Sequence, residues 1–177
     1  MSRCTNNHME SKKVKKFLEV GDVIKTNPFE GFWVCSLVLS SREKTKDFNG
    51  LCHIAVTNLV FTHDFAISEI DSADHMILHR ENRIGITVPC INVYASRIKP
   101  GIEVIGNIDV SALYKKPLTF EIGDGSEGGW PSCGPVSKSI GFEAIHQWRS
   151  INDRVQWILD IKDAEKSHEE MLQRLKE

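Results

Sequence analysis

INVYASRIKPGIEVIGNIDV, residues Ile91 to Val110, consists of two apolar runs of strand composition on either side of Lys99-Pro100-Gly101. Proline fixes φ and glycine permits positive φ, so the stretch predicts two short strands joined by a tight connection, a hairpin. It contains no catalytic signature; its content is architectural.

The segments upstream carry the same chemistry. From Glu19 the runs VGDVIKT, GFWVCSLVLSS and LCHIAVTNLVF are each rich in β-branched or aromatic residues and are separated by polar turns, predicting three strands. In the second, Phe32, Val34 and Val38 alternate with Trp33, Leu37 and Leu39, so both faces are apolar. That pattern predicts central strands covered on both sides or a strongly curled, barrel-like sheet. Residues 62–74 read as a loop, followed by strand chemistry at Met76-Ile77-Leu78 and from Ile84 to Val88, ending at Pro89.

Downstream, Asp109-Val110-Ser111 predicts a bend, LTFEI (residues 118–122) a strand, and residues 123–131 a glycine-dense loop. Phe142, Ala144, His146 and Trp148 alternate with Glu143, Gln147 and Arg149, which predicts a further strand. Ser150 and Asp153 form an S-x-x-D capping box, placing the start of a helix near Ile151. Val155, Ile158, Leu159 and Ile161 continue it, and Met171, Leu172 and Leu175 repeat at helical spacing after the polar stretch 162–170, where a break or fraying is expected. The expected fold class is α+β: a curled, mainly antiparallel, barrel-like sheet with a C-terminal α-helix packed on it. Residues 1–13 form a tail, 14–160 a single domain and 161–177 a helical extension.

A chain of 177 residues, 41% hydrophobic and 26% charged, is able to bury a real core. Twenty-two basic against 24 acidic residues leave a net charge of −2, so no global field draws nucleic acid or an anionic membrane. The lysines of the cluster Lys12-Lys13-Val14-Lys15-Lys16 read as a solvated face. Without an apolar run of membrane-spanning length or a hydrophobic leader, the expected location is the cytoplasm, with no membrane partner. Cys4, Cys35, Cys52, Cys90 and Cys133 are odd in number and lack a CxxC pair, as suits reduced thiols; the middle three lie in apolar runs and read as core.

Among groups that could carry chemistry, His75 and His79 have the i, i+4 spacing of a helical metal site, but Met76 stands where a metalloprotease has its glutamate and MILH has strand character. They read as ordinary hydrogen-bonding histidines, and no metal or cofactor is expected. Adjacent Cys52 and His53 point to opposite faces of a strand. Cys133 has a loop context, and with the His75/His79 region it would serve the alternative reading of a small hydrolase or thiol-dependent enzyme. A module for single-stranded nucleic acid would need the Lys12–Lys16 region, against the balanced charge. The loop residues Asp124, Glu127 and Trp130 combine an aromatic anchor with charges, as recognition surfaces do; the alternative is a Trp130 folded onto the core.

Val20-Gly21-Asp22-Val23-Ile24, Val93-Tyr94-Ala95-Ser96-Arg97-Ile98 and Gly101-Ile102-Glu103-Val104-Ile105-Gly106-Asn107-Ile108 follow one another in the chain, and Phe142 to Trp148 precedes a capped helix. In that order they resemble the immunity protein 26 family of bacterial polymorphic toxin systems: its opening GDV/GDI strand, its R-x-x-G-x-x-V-I-G block, and its closing strand, tryptophan and helix. The resemblance runs from about Val14 to Asp160; the lysine-rich start and the polar extension depart from it. It implies a non-catalytic protein that neutralises a cognate toxin, such as a nuclease, by stoichiometric binding, and it supplies no catalytic residues. Asp124, Glu127 and Trp130 are the expected toxin contacts, while monomer and dimer both stay open.

Overall fold

The computed structural model describes residues 15–43, 45, 50–70, 77–81, 85, 87–118, 120 and 140–174. The three β-rich runs form β1 (Asp22–Phe29), β2 (Phe32–Arg42) and β3 (Leu51–Phe61), joined by antiparallel ladders in which Ile24 faces Ser36 and Leu37 faces Ala55. Short strands β4 (His79–Glu81) and β5 (Thr87–Pro89) make a separate two-stranded ribbon. The stretch that opened the sequence reading supplies β6 (Ile91–Ala95) and β7 (Ile102–Asn107).

These last two strands are not a hairpin. The sheet order is β6-β3-β2-β1-β7, which puts them on opposite edges. The chain leaving β6 gives its backbone bonds to the N-terminal segment instead: Leu18 N donates to Ser96 O at 2.7 Å and Ile98 N to Lys16 O at 3.0 Å. Only then does the Lys99-Pro100-Gly101 turn, with Gly101 at φ +89°, aim the chain into β7. Composition identified the strands, whereas partner choice was decided by a segment some eighty residues away.

Both faces of the central strands are covered, as their two-sided apolarity predicted. Ile24, Val38, Cys52 and Ile54 join Leu18, Tyr94 and Ile102 in one buried cluster that draws on both sheet edges. On the opposite face Val23, Cys35 and Leu37 pack beneath Phe65 and Val110 from the connecting segments. The sheet curls without closing into a barrel, since no ladder among the described residues joins β6 to β7.

The segment with period-two alternation is a helix, α1 (Phe142–Asn152). Its fully packed positions are Ala144 and Ile145, with Trp148 and Arg149 half-buried a helical turn further on; the apparent alternation came from Phe142, which is 46% exposed. Buried Thr26 donates from Oγ1 to Ile140 O at 2.8 Å, and a Cβ on Gly141 would lie 2.7 Å from Val34, so the start of α1 sits directly on the sheet. Ser150 caps nothing: its hydroxyl donates to Gln147 O inside α1. Asp153 breaks the helix, and its Oδ1 accepts from Gln156 N at 3.1 Å, capping α2 (Arg154–Arg174). α2 runs unbroken through its polar middle, and none of its residues is buried. No described helix is long and apolar enough to cross a membrane.

The turn into β1 is held by a wholly buried carboxylate. Asp22 accepts from Lys15 Nζ at 2.7 Å, Glu19 N at 2.8 Å and Asn107 Nδ2 at 3.1 Å, linking the N-terminal segment to the end of β7. Gly21 is at φ +86° and its missing Cβ would collide with Ile108 O. Asp22→Ala strands these donors around an empty site and is expected to cost about 3 kcal/mol, read as a lower denaturant midpoint at unchanged slope.

Candidate functional site

Phe142, Glu143, His146, Gln147 and Ser150 recur at helical spacing and put one face of α1 toward solvent beside β4. His79, Arg80 and Glu81 of β4 form the opposite wall, buried Leu78 the floor, and Trp157 of α2 closes one end. The result is a groove of about 450 Å³, within the size range of ligand and side-chain pockets.

The polar groups in this groove bond to one another and to the backbone. Trp157 Nε1 donates to His146 Nε2 at 3.0 Å; because indole only donates, the imidazole proton sits on Nδ1. His79 Nδ1 donates to Ile77 O at 2.8 Å. Arg80 Nη1 lies 3.8 Å from Glu143 Oε1, while Glu143 Oε2 is buried with no hydrogen-bond partner among the described residues.

Next to the groove, α1 meets the tip of the β1–β2 hairpin in an aromatic corner. The Phe29 and Phe142 rings are 5.1 Å apart and those of Phe32 and Trp148 5.3 Å, edge to face. The Arg149 guanidinium stacks 4.7 Å from Phe29 and 5.1 Å from Phe32, and donates to Asp160 Oδ2 at 2.7 Å. Burial opposes ionisation of Asp160, but bonds from Gln156 and Arg149 outweigh it and hold the carboxyl below its ordinary value of 3.8. Ile151, one turn beyond Trp148 on α1, is 76% exposed. Aromatic rings with an arginine are the residue types enriched at protein-binding surfaces.

Comparison with family models, curated proteins and solved structures finds no match for this chain.

The expected contacts Asp124, Glu127 and Trp130 lie outside the described residues, as do Cys133, His75, Lys12 and Lys13. His79 is exposed at the groove's rim, on a strand rather than a helix. Lys15 is not a plain solvated charge, since it bonds Asp22 and Glu19. Cys35, Cys52 and Cys90 are core: burial pushes the first two thiols up to about 12 and the third to about 11. His53, also fully buried, is hydrogen-bonded through Nδ1 to Ser40 Oγ at 2.7 Å and lies against Phe120.

Sequence reading missed Glu143, His146, Arg149 and the aromatic corner, because reading α1 as a strand scattered them over two faces. The i, i+3, i+4 recurrence of Ala144, Ile145, Trp148 and Arg149 was the available signal.

Two outcomes test this geometry. At pH 8 a thiol of pKa near 12 is thiolate in only about one molecule in 10⁴. Iodoacetamide is therefore expected to leave Cys35, Cys52 and Cys90 unlabelled in native protein and to label all three in denaturant, by peptide mass spectrometry. Arg149→Met keeps the stem but loses the Asp160 pair and the ring stacking; a loss of about 1–2 kcal/mol is expected, with faster amide exchange across residues 154–160. The same pair has a sign in pH: with its folded pKa lowered, Asp160 stabilises fully above its unfolded value, and that contribution disappears as pH falls through the folded one.

Proposed function

We propose that this chain is a non-catalytic immunity protein that neutralises a cognate bacterial toxin by direct stoichiometric binding in the cytoplasm of the producing cell. The observation that carries this reading is the aromatic corner of Phe29, Phe32, Phe142, Trp148 and Arg149, half-buried apart from exposed Phe142, beside a groove in which one Glu143 oxygen has no hydrogen-bond partner among the described residues. A neutraliser needs a preorganised surface with a few large anchors, and here three elements of secondary structure, β1, β2 and α1, lock the anchors against each other.

The residues behind the family resemblance fit the same reading in another way. Gly21, Asp22, Gly101, Gly106 and Asn107 serve the fold: Gly106 leaves room for the side chain of Ile67, and Asn107 Nδ2 reaches both Val20 O and Asp22. They support a shared scaffold on which the binding surface is free to differ. Asp124, Glu127 and Trp130 are proposed as further toxin contacts. The net charge of −2 assigns no chemistry to the toxin.

Co-expression with the protein encoded immediately upstream is expected to protect a sensitive host and to yield a 1:1 complex on pull-down. Phe142→Asp should weaken that complex by about thirtyfold or more, the cost of losing an exposed anchor. Absence of both complex and protection would overturn the reading.

A further inference from the structure

α2 is 21 residues long, amphipathic and without a buried residue. Its bonds to α1 are made by Trp157, to His146, and by Asp160, to Arg149. At 100° per residue, the seam of Ile158, Ile161, Glu165, His168 and Leu172 is centred roughly a quarter of a turn away. Its spacing of three, four, three and four is the heptad repeat by which two helices interlock. Ile158 and Leu172 are 40% and 43% exposed, so the seam's ends are open to a partner.

We propose that this seam joins two copies of the chain as an antiparallel helix pair. Charge decides both the occupant and the direction. Run antiparallel with Glu165 opposite His168 of the second copy, the register sets Ile161 against Leu172 and brings Lys162 beside Glu169. The two-fold axis then repeats every pairing: Ile161 with Leu172 is apolar, Lys162 with Glu169 is of opposite sign, and Glu165 faces an imidazole able to donate a hydrogen bond. Run parallel, the same seam stacks Glu165 on Glu165 and His168 on His168. The helix is complementary to itself in one orientation only. The groove and the aromatic corner lie toward α1, so this pairing is independent of toxin binding. With a short overlap and polar central layers, the dimer is expected to form in the micromolar range.

Sedimentation velocity of the full chain from about 5 to about 300 µM tests this. Expected is a rise from the 20.0 kDa monomer toward twice that mass. Leu172→Asp and Ile158→Asp, at exposed positions, should abolish the rise with the circular dichroism unchanged. Lys162→Glu should weaken association about tenfold, and the charge-reversed double variant Lys162→Glu/Glu169→Lys should restore it. A monomer at every concentration, a dimer indifferent to Leu172→Asp, or a double variant no better than the single one would each overturn the proposal.

Discussion

A carboxylate with no exposure to water must find its solvation in the protein, and Asp22 finds it in groups that lie far apart in sequence. Lys15 brings the N-terminal segment, Glu19 N closes the turn, and Asn107 brings the end of β7. Gly21 adds its own backbone, accepting from Ile108 N and donating to Val38 O. One residue thus fixes where β1 starts, which strand becomes its outer neighbour, and where the segment that borders β6 must lie. The curl of the sheet follows, because that segment packs Leu18 into a cluster shared with both edges.

A second buried ion group, on β1, has a different character. Lys25 sits between Asp64 and Glu103 and over the Phe65 ring. Burial opposes its charge, yet the bonds to the two carboxylates outweigh this and raise its pKa. It clamps the segment after β3 to β7 on the face away from the helices. The helix face is therefore left to Thr26, Gly141 and the packing of Ala144 and Ile145, which position α1 and with it the groove.

The strands were legible because β-branched and aromatic runs bounded by turns mean the same thing in almost any context. Pairing was not: whether Ile91–Ala95 meets Ile102–Asn107 depends on Lys16 and Leu18, which no local pattern announces. α1 was misread for a sharper reason. Its buried Ala144 and Ile145 are adjacent, as a helix on a sheet requires, but partly exposed Phe142, His146 and Trp148 imitate a strand's alternation. The site was hidden along with the helix, since Glu143, His146 and Arg149 come together only on a helical surface. Core cysteines were legible, because an apolar neighbourhood in sequence already implies burial.

A single residue, Asp153, separates α1 from α2, and beyond it 21 helical residues extend about 31 Å. Such an arm converts small angles into large displacements: a tilt of about 10° at the junction carries its tip by about 5 Å. The bonds from Arg149 to Asp160 and from Trp157 to His146 sit near the pivot, where they oppose rotation with a short moment arm. The groove thus lies where α2 is held, and the far end of α2 lies where the same bonds constrain it least.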